Sequence, residues 1–360
     1  MRAAIEHIEL ERLSFPLATP FRAAIRVIDS VDVVLVRISA GGLQGTGYAF
    51  AFGGADLAPI FATSQGLAKL LKGQDAARTE ACWEVMHRSL ALVGAVGPAL
   101  AAMSAVDIAL WDLLGKLARL PLVEMLGGAR DRVAVYGSGG SLQLEQSELE
   151  AEARQFADQG YGAFKFKGGH GLEEDRRRLA GLRETLGPKF KLILDGNQQW
   201  TEKEAIRAAR AFEPYDLWWL EEPVAAHEIE ACARVRAQSP MNIATGETNF
   251  GLHDCTRLLN GHACDIFMPN LQRVGGITGW LKLASMAHLQ GVRVASHVYA
   301  EIGVHLLCAV PNGLTLEVLP WWPRLFVEPL HVDAGYAVPP SAPGLGVTVD
   351  ETVIAKHRYC

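Results

Sequence analysis

The sequence predicts an α/β chain: a (β/α) TIM-type barrel with an N-terminal α+β capping domain that the C-terminal tail completes. Three observations lead there. After Arg132, eight short apolar runs alternate with helical stretches, at a spacing of roughly 20 to 30 residues that suits one strand and one helix each. Before it, three strand-like segments precede three helical ones. Six of the eight runs, the second to the eighth except the sixth, end in an ionisable residue able to do chemistry, at the face on which such barrels build their sites.

The capping domain is expected over residues 1–126. Strands are read in Ile5–Leu13, Val31–Ile38 and Leu43–Phe52, with Ala40-Gly41-Gly42 as the turn between the last two. Helical periodicity follows over Leu57–Leu71, Arg78–Leu92 and Pro98–Leu117. The uncharged run Ser89–Val106 reaches the length of a membrane span, but Gly94, Gly97 and Pro98 interrupt it. Pro98 suits the first turn of a helix that carries Asp107, Asp112 and Lys116, so no membrane segment is expected.

The barrel is expected over residues 127–322. Its strands are read in residues 133–138, 163–167, 191–195, 217–221, 242–247, 264–268, 292–297 and 314–317. Residues 323–360 are rich in Pro and Gly, with short β patterns such as GVTVDETV, and are expected to return to the capping domain.

Hydrophobic residues make up 49% of the chain and charged ones 21%, which excludes the composition of a disordered protein. A net charge of −6 offers no attraction to nucleic acid or anionic lipid. The six cysteines, from Cys82 to Cys360, lie scattered with no CxxC pair and read as reduced thiols. Glu6, His7 and Glu9 leave no room for a signal peptide at the start, so a cytoplasmic protein is expected.

Asp195, Glu221 and Glu247 end three successive strands, each 26 residues after the last. Three converging carboxylates repel unless a cation sits between them. An all-oxygen set favours Mg²⁺, with Mn²⁺ as the alternative, and the His and Cys ligands of zinc sites are missing from these ends. Lys165 and Lys167 stand at i and i+2 of the second strand and share a face. Each ammonium is expected to lower its neighbour's pKa, which makes Lys167 a candidate general base. His297 ends the seventh strand across the barrel mouth and offers a second proton-transfer group. Glu317 ends the last strand, and as a neutral acid it would donate a hydrogen bond to an enolate. Any one of these taken singly is an ordinary polar strand end; their joint placement argues for a site.

These residues resemble the mandelate racemase subgroup of the enolase superfamily over nearly the whole chain. The resemblance lies in the KxK of Lys165 and Lys167, LDGNQ with Asp195 and Asn197, EEP from Glu221, GE at Glu247, and GGITGW followed by SH. It implies Mg²⁺ held by the three carboxylates, binding a small-molecule carboxylate substrate and stabilising the enediolate left by α-proton removal, with a Lys or His base. It also implies a homo-oligomer. One position departs: where the racemase places an aspartate beside its histidine, MPNLQRVGG puts Asn270, an amide that can bond the ring but not stabilise an imidazolium.

The resemblance places Phe21, Ala23, Ile25 and Ile28 of one loop, Phe52 of the next, and Val298 and Leu319 of the barrel against the substrate, with Ser138 and Asn197 at strand ends. That wall is apolar, and it favours a racemase or epimerase of an apolar 2-hydroxy acid or related α-substituted carboxylate. Arg22 and Arg26 interleave with it and reverse the conclusion if the loop register shifts by one. A sugar-acid (aldonate or aldarate) dehydratase shares the same enolisation. A vestigial metal-dependent binding protein is the third reading.

Overall fold

The computed structural model describes residues 2–359. Three antiparallel strands, β1 (His7–Arg22), β2 (Val27–Ala40) and β3 (Leu43–Ala51), form the sheet of the cap in that order. Gly41 and Gly42, at φ 59° and 73°, make the tight turn that joins β2 to β3. β1 runs well past the expected Leu13. It tolerates Pro16 and Pro20 because it is an edge strand, and its pairing with β2 is irregular between Pro16 and Phe21.

Helices α1 (Gly54–Leu71), α2 (Thr79–Ser89), α3 (Pro98–Ala118) and the short α4 (Leu122–Met125) follow. α2 stops short of the expected Leu92, which is left fully exposed on the loop to α3. α3 is long and apolar enough to cross a membrane by composition, yet most of it is buried inside the protein. It lies directly on β3: a Cβ at Gly45 would come within 2.1 Å of the Ala109 carbonyl oxygen, and one at Gly47 within 2.2 Å of that of Ala105.

Eight parallel strands then close a barrel: β4 (Val133–Ser138), β5 (Ala163–Lys167), β6 (Lys191–Asp195), β7 (Leu217–Glu221), β8 (Asn242–Thr245), β9 (Ile266–Phe267), β10 (Arg293–Ala295) and β11 (Gly313–Val318), with β11 pairing back onto β4. The intervening helices are α5 (Gln146–Asp158), α6 (Leu172–Leu186), α7 (Glu202–Phe212), α8 (Ile229–Gln238), α9 (Gly251–Asn260), α10 (Gly276–Leu289) and α11 (Ala300–Ala309). α7 begins at Glu202, where Thr201 and Glu204 exchange the reciprocal hydrogen bonds of a capping box.

The barrel interior is filled, not hollow. Tyr136, Ala163, Ile193, Trp219, Ala244, Ile266, Met268 and Ala295 form its buried plug. The two-residue period of a strand then puts Ser138, Lys165, Asp195, Glu221, Asn270 and His297 on the same inner face, one or two steps toward the carboxyl end. At β8 that period breaks at Gly246, whose φ of 125° suits glycine alone, before Glu247.

The tail departs from the expectation in two respects. β12 (Val332–Asp333) and β13 (Tyr336–Ala337) form a hairpin on the start of β4, so part of the tail belongs to the barrel. The DETV of the supposed β pattern opens a helix, α12 (Glu351–His357), because Asp350 caps it by accepting from the N–H groups of Thr352 and Val353. The return to the cap is as expected: Leu13 bridges Arg358, and the Tyr359 N–H donates to the Arg12 carbonyl.

Buried polar bonds lock cap, barrel and tail together. Asp107 of α3 accepts from the N–H and hydroxyl of Thr278, at 2.9 and 2.7 Å, at the start of α10. Asp112 accepts from Thr46 of β3, Leu345 of the tail and Lys116. Five cysteines, at 82, 232, 255, 264 and 308, are buried and unpaired, in keeping with reduced thiols; Cys360 lies outside the described residues.

Candidate active site

The carboxyl ends of the barrel strands face the cap across a cavity of about 390 Å³. Four carboxylates and two ammonium groups meet at its floor. Lys165 Nζ lies 2.5 Å from Glu221 Oε1, 2.7 Å from Glu317 Oε1 and 3.9 Å from Asp195 Oδ2. Lys167 Nζ lies 2.5 Å from Asp195 Oδ2. Backbone and indole donors complete the set: Asn197 N–H to Asp195, Trp219 Nε1–H to Glu221, and Val298 N–H to Glu317.

The lysines do not behave as expected from their proximity. Burial and the neighbouring ammonium do press on Lys167, but the carboxylates of Asp195, Glu247 and Glu221 together outweigh them and hold its pKa above the ordinary lysine value. Lys165 is held further up still, because burial is overridden by Glu221 and Glu317. Glu317 also differs from the expected neutral donor. Burial would raise it, yet Lys165, His297 and the Val298 N–H bring it down to about 2, so it stands here as an acceptor. Burial and the surrounding carboxylates push Glu221 up in spite of Lys165, whereas Asp195 is held down by both lysines against its burial.

Two features bear on a cation. Among the described residues, Glu247 Oε2 and Asn197 Oδ1 are buried without a hydrogen-bond partner, the former 3.3 Å from His297 Nε2. The floor also carries more carboxylates than ammonium groups, an excess of negative charge that a divalent ion would offset. Asp195, Glu221 and Glu247 are the oxygen donors suited to hold it. Among the described residues, however, no three acidic or His/Cys side chains already form a cage. The reason is local: Lys167 and Lys165 occupy the very oxygens of Asp195 and Glu221 that a cation would take.

His297 stands on the far side of the cavity floor, with Asn270 Nδ2 2.7 Å from its Nδ1. Burial lowers its pKa, with Glu247 and Glu317 opposing. Among the expected substrate-facing residues, Phe21, Ala23, Ile25, Ile28, Phe52, Ser138, Asn197, Val298 and Leu319 all line the cavity. Ile25 is 70% exposed and belongs to its rim.

The wall is less apolar than the sequence suggested. Arg26 joins it without any shift in register, because residues 23–26 form a turn closed by Ala23 N–H to the Arg26 carbonyl and both neighbours face inward. Arg22 does not line it. Arg26 pairs with Asp56 at 3.2 Å and donates to the Phe52 carbonyl. Gln198, Glu222, Thr248 and Arg273 supply further donors and acceptors. Alternation along a strand hid Glu222 and Gln198, which it places on outer faces. Positive φ values of 38° and 65° turn them in, and the signal was the EEP and GNQ turns themselves.

The comparisons with known proteins agree with this architecture. Residues 7–127 match the model of the mandelate racemase/muconate lactonizing enzyme N-terminal domain, and residues 148–353 that of the enolase C-terminal domain-like family. A 3,6-anhydro-alpha-L-galactonate cycloisomerase from Streptomyces coelicolor is 35% identical, over 96% of this chain and 97% of its own. The L-talarate/galactarate dehydratase of Salmonella typhimurium, solved with Mg and L-lyxarohydroxamate, superposes with a TM-score of 0.96 at 33% identity, covering 100% of this chain and 94% of that one. An enolase from Bradyrhizobium complexed with magnesium and mandelic acid superposes at 0.94 with 34% identity, covering 100% and 99%. The chain is therefore an enzyme of the enolase superfamily and belongs to its mandelate racemase/muconate lactonizing enzyme family.

Proposed function

We propose that this enzyme is a Mg²⁺-dependent acid-sugar dehydratase, which takes the α-proton from a polyhydroxylated carboxylate and eliminates the β-hydroxyl. The observation that carries the reading is the mixed wall: Arg26, Gln198, Thr248 and Arg273 around a floor of carboxylates and lysines give a hydroxylated chain the partners that an apolar pocket lacks. Relatives that are dehydratases or a cycloisomerase of sugar acids by name support it. The racemase of an apolar acid, favoured while the wall was read as wholly apolar, gives way to this alternative.

In this reading Asp195, Glu221 and Glu247 hold the Mg²⁺, which when bound supplies positive charge to the substrate carboxylate and to the enediolate that follows. With Asp195 as a ligand, Lys167 would lose the partner that favours its charged form, and its free amine would take the α-proton. Lys165 stays between Glu221 and Glu317 and neutralises charge at the floor. Glu317 holds the backbone at Val298, and His297 faces the substrate from the opposite side.

The test is a panel of aldonates, aldarates, an anhydro sugar acid and apolar 2-hydroxy acids incubated with Mg²⁺ in D₂O and followed by NMR. A 2-keto acid product from a hydroxylated acid is expected. Deuterium exchange at Cα of apolar acids alone, without elimination, would reject dehydration in favour of racemisation.

A further inference from the structure

Asn270 is wholly buried, and both ends of its amide are committed. Its Oδ1 accepts the Gln272 N–H at 3.0 Å, capping the short 3₁₀ turn Leu271–Arg273, and its Nδ2 stands 2.7 Å from His297 Nδ1. The amide has no freedom to turn over. Reversed, its NH₂ would meet the Gln272 N–H, donor against donor, where no water reaches.

Gln272 is itself fixed. Its side chain accepts from the Phe50 N–H at 3.0 Å, donates to the Phe50 carbonyl at 3.2 Å, and accepts from the Tyr299 hydroxyl at 2.9 Å. The cap strand thus sets the turn, the turn sets the amide, and the amide presents a donor to the ring. Nδ1 must accept it with a lone pair. A neutral imidazole has only one other place for its hydrogen, Nε2.

The geometry points to His297 as a neutral imidazole with its hydrogen held on Nε2 by Asn270, a hydrogen-bond donor into the cavity and not a second base. The inference rests on the enolisation proposed above. In that step the Cα–H bond breaks, the proton passes to Lys167 Nζ and the electron pair stays in the enediolate. Nothing crosses to His297, whose Nε2–H donates to a substrate oxygen. Asn270 is the positioning residue, and the substrates are acids whose α-hydrogen faces Lys167: one epimer of each pair.

The test reads the ring directly. Mg²⁺-loaded protein labelled with ¹⁵N at histidine is examined by NMR at alkaline pH, and the His297 signals are identified by their loss in His297→Asn. A bare Nδ1 and protonated Nε2 are expected, reversed in Asn270→Asp, whose carboxylate accepts both from Gln272 and from an Nδ1–H. A wild-type ring protonated on Nδ1 overturns the inference. In D₂O, epimeric acids offered singly should exchange from one face, with the second opened by Asn270→Asp. Ready wild-type exchange from both faces, lost on the second in His297→Asn, also overturns it. Because the nitrogen spectrum needs no turnover, a protein that enolises no acid fails as a dehydratase while the ring is still decided.

Discussion

Lys167 Nζ and Asp195 Oδ2 stand 2.5 Å apart, an ion pair that favours the charged form of both. Under the proposed mechanism, a cation held by Asp195 would free Lys167 of that partner. Stripping the protein of divalent metal should abolish turnover while leaving it folded, since Asp195, Glu221 and Glu317 keep their lysine partners. Mg²⁺ at a hundred times its Kd should add about 2.7 kcal/mol of stability. Turnover in protein shown metal-free by elemental analysis would reject the site.

Replacing Lys167 by Ala should reduce kcat by at least about 10²–10⁴, the range for loss of a general base, and should not weaken Mg²⁺ binding measured by calorimetry. Asp195 loses a competitor for the cation. Wild-type exchange of the α-hydrogen in this variant would remove Lys167 from the role.

Lys165→Ala should act on stability as well as rate. It leaves Glu221 and Glu317 buried without their ammonium, and breaking a buried pair from one side costs about 3–5 kcal/mol. Urea titration of metal-free protein measures this, and a midpoint within error of wild type would contradict the buried geometry.

Glu317 should leave a mark on acid stability. Its folded pKa of about 2 lies below the ordinary 4.5, so its contribution is present above pH 4.5 and disappears as pH falls toward 2. The difference between wild-type and Glu317→Gln unfolding free energies should therefore shrink over that window and be flat above it. A difference that grew with acidification would mean that Glu317 is protonated in the fold.

Gly47→Ala should destabilise the cap by about 1–3 kcal/mol or more, because its Cβ would lie 2.2 Å from the Ala105 carbonyl oxygen and 2.5 Å from the Ala109 nitrogen, both backbone atoms of α3. Thermal unfolding checks it. An unchanged midpoint would show that α3 can move off the sheet.

Lys165, Lys167, Asp195 and Glu221 were legible in the sequence because each lies on a strand whose two-residue alternation survives to its end, and His297 because that alternation continues two residues past β10. Glu222 and Gln198 were not, since positive φ undoes that alternation just beyond it. Gln272 was hidden for another reason: its partner Phe50 lies 222 residues away, and nothing local marks the pair. The pKa directions of Lys167 and Glu317 were not legible because they depend on which carboxylate each lysine reaches, and spacing along the chain does not encode that Lys165 Nζ stands 2.5 Å from Glu221 but 3.9 Å from Asp195.

The turn at residues 23–26 brings Ile25 and Arg26 to the cavity rim from a loop that carries none of the proton-handling groups. Inheritance can therefore act on the two separately. A substitution at this exposed hairpin leaves the ion pairs of the barrel floor in place. For the protein engineer, the same partition marks Ala23 to Ile28 as the stretch to randomise when a different acid is sought from an unaltered floor.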